Sequence, residues 1–338
     1  MGPAPPTSKE NREIVNRPLE LHAFGDAFPL AGRIAEALGV AARRIAVHSF
    51  PDEESLVRVT SDGAPRAIVV RSLDHPNPKL VEVLFAADAL RRRGVREILL
   101  VAPYLGYMRQ DRVFREGEAV SQQVVAGLLS TAFDEVLTVE AHLHRIRALD
   151  AVFSCRARSI SAAPAIAAWC RSEGRRLLLV GPDAESEPWV RSIANDAALP
   201  WIVCHKSRHG DREVEVEVPD LAHAGQGLES ALVVDDIASS GATLAATTRA
   251  LLARGIPRVE AIVTHAIFGP GAEDRLRSAG LARILSTDTL SHASNAIGVA
   301  SLIAEHVDRR FLGDDEPSTR NDDSHAGTDT RGEAEAGG

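Results

Sequence analysis

The stretch Ala231–Leu244, ALVVDDIASSGATL, joins four apolar residues to two acids and then to a run of small side chains. The apolar residues predict a buried strand. Asp235 and Asp236 then stand at its carboxyl end, and Ala238–Thr243 form a turn into a helix. Small side chains let backbone N–H groups approach an anion, and a helix start adds positive potential. Ser239, Ser240 and Thr243 add hydroxyl donors. The two acids do not favour a phosphate directly. They suit sugar hydroxyls, or a metal held against phosphates. Strand, acids and turn together imply a phosphorylated sugar as ligand.

The flanking chain repeats the same grammar. Apolar runs at Ile98–Ala102, Val136–Val139, Leu177–Val180, Ile202–Cys204, Ala231–Val234 and Val259–Val263 read as buried strands. Between them, Pro78–Arg93, Ser121–Ala132, Ala163–Ser172, Trp189–Ala197, Gly241–Arg254 and Gly271–Ala279 read as helices. Such alternation predicts an α/β fold of parallel sheets flanked by helices, with ligands beyond the carboxyl ends of the strands. Two blocks of similar size would lie end to end, with a boundary near Arg156–Ser161. Ser207–Glu217, irregular and charged, reads as a mobile loop.

Composition bounds the rest. The chain has 338 residues, 45% hydrophobic and 25% charged, with formal charge −9. That balance argues against a nucleic-acid coat. No apolar run approaches the ~18 residues of a membrane span, and Met1–Arg17 lacks the apolar centre of a secretory signal. Cys155, Cys170 and Cys204 are widely spaced, as expected of reduced thiols in the cytoplasm. Residues 313–338 hold eight acids and two bases without a large apolar side chain. Such a segment cannot offset its ordering entropy and is expected to be disordered.

Further motifs narrow the class. In order come HSFPDEESLVRV (48–59), PYLGYMRQDR (103–112), TVEAH (138–142), LVGPDA (179–184) and HKSRHGDREVEVE (205–217). Aromatic rings beside Arg109, Gln110, Asp111 and Arg112 suit an anionic aromatic ligand. Phe50 can stack on a base and a nearby carboxylate can accept from an amine, although Pro51-Asp52 also spells a hairpin turn. A lone His142 at a strand end is ordinarily a satisfied polar residue. Lys206 and Arg208 open the charged interval, where basic side chains either stay solvated or close over a nucleotide.

The Asp-Asp turn resembles the 5-phosphoribosyl 1-diphosphate motif of type I phosphoribosyltransferases and of ribose-phosphate diphosphokinases. With the other segments in this order, roughly Leu19–Leu312 resembles the ribose-phosphate diphosphokinase family. The resemblance implies two tandem phosphoribosyltransferase-like domains: an ATP-binding one at 18–158 and a ribose-phosphate-binding one at 159–312. They lie between a flexible 1–17 and the tail at 313–338, and the final helix would pack on the first domain. It implies transfer of the diphosphoryl group of Mg²⁺-ATP to the 1-hydroxyl of ribose 5-phosphate, giving AMP. Lys206 and Arg208 would be catalytic. Phe50, Asp52, Glu53, Glu54, Arg109, Gln110 and Asp111 would bind ATP. Arg208, Asp235, Asp236, Ser239, Ser240, Gly241, Ala242 and Thr243 would bind ribose 5-phosphate, and His142 and Asp183 the metal. Adenine recognition across an interface implies a homo-oligomer, a dimer or larger. No nucleic-acid or membrane partner is expected.

The chain departs from the family pattern at four places. Glu53 replaces a usual Gly, and Glu140-Ala141 the commoner Asp-Leu. Glu185-Ser186 replaces Gly-Gly, and Ser239-Ser240-Gly241-Ala242-Thr243 replaces Asp-Thr-Gly-Gly-Thr. Two other readings stay open: a phosphoribosyltransferase that consumes the product, and a non-catalytic regulatory homologue, for which Glu53 and Glu185-Ser186 leave room.

Overall fold

The computed structural model describes residues 19–143, 148–209, 213–221, 228–307 and 311; of 207–209 and 213–214 it describes the backbone only. The expected loose N-terminus and acidic tail lie outside the described residues.

The first half contains β1 (Leu19–Ala23), β2 (Ala42–Arg44), the hairpin strands β3 (Ala46–Ser49) and β4 (Ser55–Arg58), then β5 (Arg66–Val70), β6 (Glu97–Val101), β7 (Glu135–Val139) and β8 (Arg156–Ile160). Helices α1 (Phe28–Leu38), α2 (Pro76–Arg92) and α3 (Ser121–Ala132) connect them. The main sheet is parallel, in the order β2-β1-β5-β6-β7-β8. The expected domain boundary at 158/159 falls inside β8, the last strand of this sheet.

The second half holds α4 (Ala163–Glu173), β9 (Leu177–Gly181), α5 (Glu187–Ala197), β10 (Trp201–Val203), the antiparallel pair β11 (His205–His209) and β12 (Glu213–Glu217), and β13 (Ser230–Ala238). It continues through α6 (Ala242–Ala253), β14 (Val259–Ala266), α7 (Ala272–Ser278), β15 (Arg283–Thr287), β16 (Asn295–Ile297) and α8 (Ala300–Glu305). Its sheet is again parallel, in the order β10-β9-β13-β14-β15-β16. With the hairpin strands set aside, the two halves have the same topology.

Period-2 alternation explains how the layers stack. Ile68 and Val70 of β5, and Leu232 and Val234 of β13, face one core shared by both halves. Ala67 and Val69, and Ala231 and Val233, face two separate outer cores. Helices α1, α4, α5 and α8 feed the shared core, and α8 packs on α1 of the first half.

The charged interval is more ordered than its composition suggests. His205–His209 and Glu213–Glu217 pair as two antiparallel strands, with Lys206 opposite Val216 and Arg208 opposite Val214. The alternation Glu213-Val214-Glu215-Val216-Glu217 suits a strand, but its charge obscured that pattern. Among the described residues, no helix is long and apolar enough to cross a membrane.

Candidate active site

The carboxyl ends of the strands of both halves open on one cleft of about 840 Å³. From the first half come Arg109, the β7 exit Glu140–Leu143 and Ser159–Ser161; from the second come Asp183, Trp189, Lys206, Asp235, Asp236 and Thr243.

The β13 strand runs four residues beyond its expected apolar end, to Ala238, so Asp235 and Asp236 are held rigidly within it. Period 2 sends their side chains to opposite faces. Asp236 is buried, and its carboxylate is hydrogen-bonded to His142 Nδ1 across the domain junction. Burial opposes its charge, but that bond and the nearby His142, His265 and Arg109 hold its pKa below the usual range. Asp235 behaves in the opposite way. Burial, with Asp236 and Asp183 as like-charged neighbours, pushes its pKa well above the carboxylate norm.

Gly241 has φ +70° at the N-terminus of α6, and an added Cβ would come 3.3 Å from Leu276 Cγ and 3.4 Å from the Ala272 carbonyl oxygen. Here glycine is required on both counts. Ala242, in contrast, begins α6 with an ordinary φ, so replacing the family's glycine there adds no strain. The turn is braced by Gly269 N–H, which donates to the Ser239 carbonyl at 2.9 Å, and by Arg275, which donates to the Ser240 carbonyl. Ser239 and Ser240 are exposed.

Asp183 follows β9 and caps a short 3₁₀ turn. One carboxylate oxygen accepts the Glu185 N–H at 3.2 Å, and the other accepts from Lys206 Nζ at 3.1 Å. Ser186 is buried and donates to the Asp183 carbonyl at 2.6 Å. Its Oγ lies only 2.4 Å from where a Cβ on Gly181 would sit, so Gly181 makes room for it. Glu185 and Ser186 both have ordinary φ, and this turn does without the flexibility of Gly-Gly. Arg208 lies on β11, but its side chain lies outside the described residues.

Phe50–Glu54 form the tip of the β3–β4 hairpin and do not line the cleft of their own chain. Glu53 has φ +69°, a left-handed backbone that a glycine would adopt without strain. Among Arg109, Gln110 and Asp111, only Arg109 lines the cleft.

Sequence reasoning missed the cleft's floor. The Glu140 carboxylate accepts from Ser161 Oγ at 3.0 Å, from the Ala162 N–H at 2.8 Å and from the Trp189 indole. Burial still raises its pKa. Nothing in local patterning brings these residues together, although Glu140 had stood out as a departure from the family pattern.

Comparison with known proteins identifies the family. A family model of the N-terminal domain of ribose phosphate pyrophosphokinase matches residues 20–132. One of the phosphoribosyl transferase domain matches residues 157–302. The ribose-phosphate pyrophosphokinase 2 of Archaeoglobus fulgidus is 35% identical over 280 residues, covering 82% of this chain and 96% of its own. The chain belongs to the ribose-phosphate pyrophosphokinase family. A ribose-phosphate pyrophosphokinase of Halobacterium salinarum is 34% identical over 284 residues, with 82% and 96% covered. The crystal structure of phosphoribosylpyrophosphate synthetase from Mycobacterium smegmatis superposes with a TM-score of 0.71 at 26% identity, covering 85% of this chain and 96% of that one. Membership of the ribose-phosphate pyrophosphokinase family makes the chain a transferase of diphosphate groups. Its duplicated parallel-sheet architecture is the one the sequence predicted.

Proposed function

We propose that this cleft transfers the β,γ-diphosphoryl group of ATP to the 1-hydroxyl of D-ribose 5-phosphate, releasing AMP. The observation that carries the assignment of roles is the meeting of Lys206, Asp183, His142, Asp235 and Asp236 in one cleft beside the Gly241 turn. The exposed Ser239 and Ser240, Gly241, Ala242 and Thr243 cradle the 5-phosphate with hydroxyls and backbone amides. Asp235 and Asp236 hold the ribose hydroxyls. Arg109 meets the ATP phosphates from the first half, with Gln110 and Asp111 beside it. The 1-hydroxyl then attacks the β-phosphorus in line. Lys206 and Arg208 stabilise charge on the transferring oxygens, and positioning does the rest.

The donor set fits Mg²⁺. Among the described residues, no group of three or more His, Cys, Asp or Glu side chains can hold a metal by itself. Magnesium commonly takes one or two carboxylates and completes its shell with substrate phosphates and water. Asp183 and His142 would hold it, and the crowding that raises the Asp235 pKa is what a divalent cation would relieve. When bound, the ion neutralises charge on the ATP phosphates.

Phe50, Asp52, Glu53 and Glu54 stand away from their own cleft, which supports delivery of this hairpin tip to the adenine of a neighbouring copy in a homo-oligomer. Exposed Phe50 and Leu56 on the hairpin, and Val81 and Phe85 on α2, supply apolar surface for that association. Three unpaired cysteines suit the cytoplasm.

The test is AMP formation by the purified chain with ATP, Mg²⁺ and ribose 5-phosphate. Base-dependent pyrophosphate release without AMP would favour a phosphoribosyltransferase instead. Neither product, across varied metal and phosphate, would leave a regulatory homologue.

A further inference from the structure

His142 reaches Asp236 from a turn with an uncommon backbone. Glu140, two residues earlier, has φ +43°, a conformation that a non-glycine residue keeps only where its surroundings over-determine it. The polar groups of this turn are tied in all directions. The Glu140 N–H donates to the Ile160 carbonyl at 2.8 Å, and the Ala141 N–H to Ser159 Oγ at 2.8 Å. The carbonyls of Val139 and Glu140 remain, and both face His265 Nε2, at 3.1 and 3.2 Å.

His265 belongs to the other half of the molecule, near the end of β14, and is buried. Two carbonyl acceptors at Nε2 require the proton there, so Nδ1 must accept. Thr289 Oγ1 lies 2.9 Å from Nδ1. The Thr289 hydroxyl has a second acceptor in the Thr264 carbonyl at 2.9 Å, which Thr287 Oγ1 also serves at 2.6 Å, so its one proton is shared between that carbonyl and the ring. The edge of the imidazole packs against Tyr104, with centroids 4.9 Å apart. Burial lowers its pKa to about 4, in keeping with a neutral ring of fixed tautomer.

We infer that His265 is a positioning residue: by clamping the carbonyls of Val139 and Glu140 from the second sheet, it fixes the turn that aims His142 at Asp236. The inference rests on the role proposed for His142. The ring acts through the two backbone carbonyls it holds, three and two residues before His142.

The test is a double-mutant cycle in the full chain, read as kcat for AMP formation together with the thermal midpoint. His265→Gln keeps a donor near the Nε2 position, whereas His265→Asn is one bond shorter and does not. Asparagine is expected to lower kcat by about 10²-fold, with glutamine restoring most of it and both midpoints close to the parent. In a His142→Ala background, His265→Asn is expected to cost little more, because the group it aims is gone. Equal losses for asparagine and glutamine, or a full multiplicative loss in the His142→Ala background, would overturn the clamp while leaving the proposed function standing. A His142→Ala variant with unchanged kcat would overturn the role of His142 as well. If His265→Asn loses its fold, Thr289→Val carries the same cycle, since it removes the hydroxyl at Nδ1 and leaves the ring in place. Its kcat should fall about tenfold, and an unchanged kcat counts against the clamp.

Discussion

The two halves share a strand order and each carries a hairpin after its second strand, yet the carboxyl ends of their first and third strands have opposite electrostatics. In the first half, Asp26 follows β1 and Asp74 follows β5. Lys79 Nζ bridges them at 2.9 and 2.6 Å, and Arg71 lies 3.5 Å from Asp26. Burial opposes the Asp26 charge, but these cations hold its pKa below the usual range. In the second half, Asp183 follows β9 and Asp235 lies in β13, with Lys206 on Asp183 alone and the Asp235 pKa pushed up. One end is neutralised by its own side chains. The other retains a charge conflict that a ligand or cation would resolve, as functional sites often do. Duplication supplied the frame twice, and only the second copy was left electrostatically incomplete.

The largest effect should come from the incomplete half. Lys206→Ala is expected to lower kcat by about 10³-fold with an unchanged circular dichroism spectrum; near-normal turnover would remove Lys206 from its role. The neutralised half should instead respond in stability. Arg71 and Glu82 form a buried ion pair, with Ser55 Oγ donating to Glu82 at 2.8 Å. Breaking it with Glu82→Ala should cost about 3 kcal/mol of unfolding free energy, measured by denaturant titration.

Asparagine at the two third-strand sites sharpens the contrast. Asp235→Asn should raise the thermal midpoint at neutral pH while lowering turnover. The parent carboxyl has a folded pKa above its unfolded value, so its penalty appears as pH rises above about 3.8. The gain from asparagine should therefore shrink as pH falls toward that value. Asp26→Asn should do the reverse: it should lose about 1 kcal/mol at neutral pH, with the difference closing as pH falls through the depressed folded pKa. Equal signs at the two positions would break the comparison. The smallest effect belongs to the first hairpin, where Glu53→Gly should stabilise the fold by about 0.5 kcal/mol, the relief of its left-handed backbone less the chain entropy that glycine adds.

What was legible follows from how local each signal is. The buried strands carry their own apolar runs, and the β13 turn carries acids, small residues and a helix start within fourteen consecutive positions. Those could be read directly. The strand Glu213–Glu217 was not, because its alternation is written in charge. Nor were the φ values of Glu53 and Glu140, which tertiary contacts enforce against local preference. His265 and Trp189 escaped for a third reason: each meets its partner across more than forty residues of intervening chain, and neither of these two residues carries a local mark.

The apolar core between the sheets sets how this molecule can move. Side chains from β1, β5, β13 and α1, α4, α5 and α8 lie in one continuous cluster, and buried Phe311 joins it from the far end of the chain. A large hydrophobic junction removes the freedom that linked domains ordinarily have. Opening it like a jaw would wet the interior of both halves at once, so the two sheets behave as one block. A crosslink across the sheet junction should therefore be silent in catalysis.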